Sequence, residues 1–457
     1  MGSYHRKVRP LVDRERWLIT GVSAIDDLCG RGIPRGTYLQ LYGEQKSRKT
    51  TAALIMLRAA QRSGWVTVYY NIEAGFLDQV ALRLGIDFDE PTYHLNGEEI
   101  EDPGDNPFSG ANGKKVDIVS PGLIFMEAYE TNTIERMFEH AKRVTVSCVR
   151  NGLTPLFVAD AMSSLSTSQE EWKSFSGDTM MEVPKRTRLG YKLFQKPLAK
   201  CGGIFVAIDH KKPTGSAGSG SAPGFFASTR LDFTLMEELP DPNDPEEKSL
   251  WFMAEIVAAK SRHAASGRSM FAFDYKPTEF DEDGEAVRRF GPDLSFDLQW
   301  CGQRIGLYEK SGGYFKLPEN FPEGPVTVHG EAKWPELYDR LRRYPAWIEA
   351  MKDLYHIGRW YEWCADAGKD AHEEMKKFGD EVYKRFVKAE KAAYKTAGLK
   401  KPPRRRKPRA KSLDQEMAEV EAEAKKPKAK AKAKAKTKSK AKPKAKSKGK
   451  GKGGKDA

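Results

Sequence analysis

The run GEQKSRKT, from Gly43 to Thr50, ends in a lysine followed by a threonine. Such a pair lets a loop neutralise phosphate oxygens and offer a hydroxyl to Mg²⁺. Read as a phosphate-binding loop, Gly43, Glu44, Gln45, Lys46, Ser47, Arg48, Lys49, Thr50 and Thr51 would line a nucleotide, ATP, with backbone N–H groups and a helix N-terminus turned toward its phosphates. The pattern GxxxxGK[ST] asks for glycine where Arg48 stands, so the loop by itself reads equally as a basic turn before an ordinary helix. Asp160 closes the apolar run LFVAD and puts a carboxylate at the carboxyl end of a strand, where the metal of a bound nucleotide is held. A turn-capping aspartate is the plain alternative. Glu73 ends another strand, where a carboxylate can polarise an attacking water. Three such positions at strand ends make a site where one alone would not.

These residues need an alternating scaffold, and short apolar runs supply it. Strands are expected over 38–42, 65–70, 156–160, 203–208, 231–236, 251–259 and 271–275, and an amphipathic helix over 50–62. Strands alternating with helices define an α/β domain with a largely parallel sheet. Residues 94–121, with NGEEIEDPGDNPFSGANGKK, break the rhythm as an exposed insertion, and the Ser- and Gly-rich stretches 163–184 and 211–224 read as mobile loops. Beyond residue 300 the pattern changes to a small mixed unit, followed by a long charged helix over 370–397.

Composition narrows the class. Of 457 residues 39% are hydrophobic, enough for a sizeable core. No apolar run approaches a membrane span, and the N-terminus has no apolar leader, so a cytoplasmic protein is expected. Five widely spaced cysteines form no CxxC pair, which argues against a zinc site or a disulfide framework. The net charge of +13 is unevenly placed: residues 401–457 hold 23 basic and 6 acidic side chains, whereas residues 1–400 hold 54 and 58. A Lys/Ala-rich tail with almost nothing to bury is expected to be disordered and to attract nucleic acid through counterion release. A solubility tail is the plain alternative.

The stretch LITGVSAIDDLCGRGIPRGTYLQLYGEQKSRKTT is similar to the opening of the core of RecA-type recombinases. The order that follows matches as well: Glu73, DQVALRLGID, Asp160, the IDH strand end, a Gly-rich loop and FFASTRLDF. Within the family the chain most resembles the phage UvsX branch, through His210 after the sensor strand and Lys260-Ser261-Arg262. The resemblance covers about residues 17–357, including GLYEKSGGYFKL and PELYDRL.

The resemblance implies a RecA-like P-loop ATPase core with a mostly parallel central sheet over 17–299, after a short segment 1–16. A small C-terminal α+β unit with a helical extension would fill 300–400, before a disordered basic tail over 401–457. Carried over by residue, it makes Lys49 and Thr50 ligands of phosphate and Mg²⁺, gives Asp160 to the metal and makes Glu73 the hydrolytic carboxylate. His210 would sense the γ-phosphate, and Lys260 and Arg262 would reach the ATP site of an adjacent protomer. Lys211, Lys212, Gly218, Gly220, Phe225, Phe226 and Arg230 would face single-stranded DNA, although the two phenylalanines read equally as anchors of their loop to the core. Departures from the family are Arg48, Ala81 where a tyrosine usually meets adenine, the short N-terminal segment and the basic tail.

The implied function is a DNA-dependent ATPase that assembles on single-stranded DNA and exchanges strands with a homologous duplex. Its expected partners are both forms of DNA, further copies of itself, a single-strand binding protein and a loading mediator, and its compartment is a bacterial host cytoplasm if a phage encodes it. A DNA-coating or mediator protein of the same fold, with a weakened ATP site, is the alternative.

Overall fold

The computed structural model describes residues 17–95, 97–100, 116–130, 132–168, 182–211, 221–241, 249–262, 267–280, 286–288, 290–366, 368–377 and 380–400. Segments 1–16 and 401–457, with the expectations attached to them, lie outside the described residues.

The centre is a nine-stranded sheet in the order Gly291–Pro292, Arg268–Asp274, Ser249–Ser261, Thr229–Pro240, Thr37–Gly43, Ile204–His210, Pro155–Asp160, Val66–Asn71 and Gly122–Glu127. From Thr229–Pro240 to Gly122–Glu127 every pairing is parallel, and the three at the other end are antiparallel. The α/β fold with a mostly parallel sheet is therefore present, consistent with a RecA-like core. Parallel strands are buried on both faces, which is why they read as unbroken apolar runs.

Period-two alternation sends successive side chains to opposite layers. Leu156 and Val158 join an apolar cluster with helix Lys49–Arg62, whereas Phe157 and Ala159 join one with helices Ile134–Arg150 and Glu182–Cys201. In the second cluster Phe157, Tyr191, Phe194 and Phe205 are almost fully buried, each worth roughly 2 kcal/mol of transfer free energy.

Three expectations change. The 94–121 insertion is not exposed throughout: Tyr93–Leu95, Glu98–Ile100 and Val116–Ile118 pair as a small sheet, and Ile118 is buried with its N–H donating to Ser147 Oγ at 2.6 Å. The stretch 163–184 overlaps the short 3₁₀ turn Met162–Ser164 and the start of the Glu182–Cys201 helix. The expected helix over 370–397 is two among the described residues, Ala371–Lys376 and Asp380–Thr396.

The C-terminal stretch has its own apolar cluster around Leu307, Phe315, Trp334, Leu337 and Trp347. It is tied to the first helix, Ser23–Cys29, by charge. Asp297 accepts from the Ser23 and Ala24 N–H groups at 2.9 and 3.0 Å, Arg304 pairs with Asp27, and Arg31 pairs with Glu349 and Asp353. No helix among the described residues is long and apolar enough to cross a membrane.

Candidate functional site

Strands Thr37–Gly43, Ile204–His210, Pro155–Asp160 and Val66–Asn71 end at one edge of the sheet, with Gly43 paired to His210 and Asn71 to Asp160. Gly43 has no room for a side chain: a Cβ there would sit 2.2 Å from the Phe233 carbonyl oxygen and 2.8 Å from Ser47 Oγ. The chain can thus turn tightly into the loop and re-enter a 14-residue helix at Lys49. No side chain caps that helix N-terminus, which leaves its first N–H groups facing the loop.

A pocket of about 160 Å³ opens here, lined by residues 46–51, Glu73, Leu77, Asp160, Ile208 and His210. Of the expected cofactor residues, Lys46 to Thr51 line it. Glu44 and Gln45 do not, and Gly43 contributes its carbonyl to Lys49.

Lys49 is only 4% exposed and its Nζ donates to the Gly43 and Glu44 carbonyls at 3.2 and 2.6 Å and to Ser47 Oγ at 3.1 Å. Burial, against the attraction of Asp160 and Glu73, pushes its pKa down to about 8. Thr50 Oγ1 and the Tyr69 hydroxyl both donate to Asp160 Oδ2 at 2.7 Å. Burial lifts the Asp160 carboxyl above its ordinary value despite those two bonds. The Asp160–Ala161 peptide is cis.

Glu73 hangs beside them, its N–H bonded to the Asp160 carbonyl at 3.2 Å. His210 Nε2 lies 3.0 Å from each of its carboxylate oxygens, and Ser164 Oγ donates to Oε1. Burial raises the Glu73 pKa, but the Ser164 and His210 hydrogen bonds outweigh it and hold the group below its ordinary value.

Arg48 explains its own departure. It occupies the left-handed region at φ 70°, ψ 23°, a conformation natural to the glycine the pattern asks for. Its guanidinium turns away from the loop, pairing with Glu238, donating to Ser249 Oγ at 2.7 Å and lying 5.2 Å from the Phe252 ring centre. Arg48 is among the residues lining the pocket, with its guanidinium engaged by these partners. Ala81 is fully buried in the core cluster.

The remaining expected residues gather elsewhere. Lys211 donates its N–H to the Gly43 carbonyl at 2.8 Å and pairs with Asp232 at 3.1 Å, so it touches the loop's root. Phe226 stacks on Tyr191 with ring centres 5.7 Å apart, while its neighbour Phe225 is 66% exposed. Phe226 therefore anchors to the core, as the plainer reading expects, while Phe225 projects. The Arg230 guanidinium lies 3.7 Å over Tyr42. Lys260 Nζ donates to the Gly224 and Phe225 carbonyls, both at 2.8 Å, and the Arg262 N–H to the Ser228 carbonyl at 3.0 Å. Neither lines the pocket at the sheet edge. Lys212, Gly218 and Gly220 lie outside the described residues.

Sequence reasoning missed Tyr69, Ser164 and Tyr275, whose hydroxyl lies 3.2 Å from Thr51 Oγ1. Strand parity carried a signal for the first, since Tyr69 pairs with Val158, two residues before Asp160 and on the same face. Nothing local marked the other two.

A mostly parallel sheet whose central strand runs through a tight loop into a helix, with carboxylates from the neighbouring strand ends around the loop lysine, is the layout of a RecA-like nucleotide-binding core. Comparison with curated proteins agrees. The chain is similar to Protein RecA of Chloroherpeton thalassium, 25% identical over 343 residues, 71% of this chain and 79% of that one. Protein RecA of Chlorobium chlorochromatii is 25% identical over 342 residues, 70% and 79% of the two chains, and that of Bartonella bacilliformis 24% over 311 residues, 65% and 72%. No protein-family model matches the chain.

Proposed function

We propose that the chain is a DNA-dependent ATPase that forms filaments on single-stranded DNA and catalyses homologous pairing and strand exchange. One observation carries the reading: Lys49, Thr50, Asp160, Glu73 and His210 converge on a single pocket at the carboxyl edge of the sheet, in a chain similar to RecA over about seven-tenths of its length. Residues 17–299 would form the ATPase and DNA-binding core and 300–400 the small C-terminal unit.

The donor set fits ATP with Mg²⁺. Thr50 and Asp160 present hard oxygens 2.7 Å apart, the kind Mg²⁺ prefers. When bound, the ion would neutralise phosphate charge. Lys49 would exchange its carbonyl partners for phosphate oxygens, joined by the N–H groups at the uncapped helix start. Glu73 would orient a water and take its proton. His210 already touches that carboxylate, and the next residue is tied to the loop's first glycine. A change at the phosphates would therefore reach the segment that carries Phe225. Phe225 would stack on a base, and the basic tail would raise the local concentration of duplex DNA. Lys260 and Arg262 would meet a neighbouring protomer's nucleotide only in the filament. Placement in the phage UvsX branch rests on His210 and Lys260-Ser261-Arg262, since the relatives described above are bacterial proteins.

The test is ATP hydrolysis with and without single-stranded DNA, for the wild type beside Lys49→Ala and Glu73→Gln. Expected is strong stimulation by DNA, which each substitution reduces at least about 100-fold. A wild type that binds DNA tightly, hydrolyses nothing and is indifferent to ATP would instead be the coating or mediator protein.

A further inference from the structure

The carboxylate of Glu73 is gripped unevenly. Oε1 accepts from the Ser164 hydroxyl and also lies 3.0 Å from His210 Nε2, whereas Oε2 has the His210 contact at 3.0 Å. A single N–H shared between two oxygens favours neither, so His210 alone leaves the carboxylate free to rock about its axis. A serine hydroxyl has one proton to donate, and here Oε1 receives it. That second grip breaks the symmetry and leaves Oε2 with the more open lone pairs.

Ser164 is well placed to hold a fixed point. It closes the 3₁₀ turn Met162–Ser164, with its N–H bonded to the Ala161 carbonyl at 3.1 Å. Met162, two residues before it, and Leu165, the next residue, are 1% and 3% exposed, and Ser166 is bridged to Thr133 at the start of the Ile134–Arg150 helix. Its hydroxyl is thus aimed by buried neighbours on both sides, while Ser164 itself is exposed.

We propose that Ser164 is a positioning residue for hydrolysis, holding Glu73 Oε1 so that Oε2 is presented to the attacking water. The proposal rests on the reading of Glu73 as the hydrolytic carboxylate. An incorrectly aimed base binds nucleotide normally and turns it over slowly. Ser164 therefore acts on kcat, through Glu73 alone.

The experiment measures hydrolysis of radiolabelled ATP at saturating single-stranded DNA, so that slow rates remain countable. It compares wild type, Ser164→Ala, Ser164→Thr, Glu73→Gln and the double variant Ser164→Ala/Glu73→Gln, with affinity for a fluorescent ATP analogue confirming that each folds. Expected for Ser164→Ala is a fall in kcat of about tenfold with the KM for ATP within about twofold. Ser164→Thr keeps the hydroxyl, sends its methyl to solvent and restores most of the rate. In the Glu73→Gln background Ser164→Ala changes nothing further, because its effect runs through the carboxylate. An unchanged kcat in Ser164→Ala, an equal loss in both backgrounds, or a raised KM at constant kcat each overturns the proposal. An inactive wild type removes the hydrolytic reading together with the proposal. An active wild type, a dead Glu73→Gln and an unaffected Ser164→Ala remove the proposal alone.

Discussion

Two buried lysines stand in opposite relations to charge. Lys49 in the loop and Lys352 in the helix Pro345–Asp366 are 4% and 9% exposed. Burial drives the Lys49 pKa down to about 8, because its hydrogen-bond partners are carbonyls and a hydroxyl, and the carboxylates of Asp160 and Glu73 compensate only in part. Burial also disfavours charge on Lys352, but Glu349, 3.4 Å away, and Asp297 more than offset it, and its pKa is raised. The first cation is held by groups a phosphate can displace and opens on a pocket. The second sits near Asp27, Arg31 and Arg304, where the Arg304–Asp27 pair and the Arg31 pairs with Glu349 and Asp353 tie the C-terminal stretch to the Ser23–Cys29 helix and the residues just after it. A perturbed lysine by itself therefore marks nothing; a lysine lacking its anion at the rim of a pocket is what the proposed nucleotide site would require.

The contrast breaks most sharply on substitution by an apolar isostere. Lys352→Met removes the cation that pairs with Glu349 and offsets the charge of buried Asp297, and should cost about 3 kcal/mol in urea unfolding. Lys49→Met loses three hydrogen bonds but also removes a buried charge that lacks its anion, so stability should move by less than about 1 kcal/mol while ATP hydrolysis is lost. If Lys49→Met unfolds as early as Lys352→Met, the loop lysine is structural and the distinction fails.

A gentler probe is pH. Phosphates should raise the Lys49 pKa from about 8, so the nucleotide-bound site holds that proton more tightly than the free site. Binding then takes up protons near pH 8, and affinity falls as pH rises above that value, by at most about tenfold per unit. For folding the sign is the reverse: a lysine depressed in the native state opposes stability fully below about 8, and that opposition fades toward its unfolded value of 10.5. Calorimetry in two buffers of different ionisation enthalpy reads the uptake directly. No uptake at pH 8 would mean that Lys49 is already an ordinary, charged surface-like lysine.

The sheet was legible because buried parallel strands leave apolar runs, and so were the ends that bring Asp160 and His210 to one edge, with Glu73 two residues past its strand, in the turn after Asn71. The edge strand Gly122–Glu127 escaped because it follows directly on the polar insertion. Helix Glu182–Cys201 escaped because Pro197 lies within it and Leu189 and Leu193, at 45% and 63% exposure, blur its period. Side-chain direction was beyond reach. Lys260 is written in the sequence as a cation near a strand end, but that it clasps the Gly224 and Phe225 carbonyls depends on how two strands and a turn meet. The same holds for Ser164, which lies 91 residues from the carboxylate it touches.

Arg48 offers the finest test, since its backbone and its side chain make opposing contributions. The left-handed conformation costs a residue with a Cβ about 1 kcal/mol relative to glycine. The half-exposed pair with Glu238 and the contact with Phe252 return a similar amount. Arg48→Gly should therefore leave stability within about 1 kcal/mol of the wild type and, because the guanidinium is already engaged by Glu238 and Ser249, leave the KM for ATP unchanged. Arg48→Ala keeps the backbone cost and discards the contacts, so it should be less stable than Arg48→Gly by about 1 kcal/mol. The ordering matters more than either value. Glycine above alanine shows that the loop still adopts the phosphate-binding conformation, with arginine tolerated there by its contacts to the Thr229–Pro240 and Ser249–Ser261 strands. Alanine at or above glycine would mean that position 48 is not left-handed and that the loop has lost the shape on which the contrast between the two lysines depends.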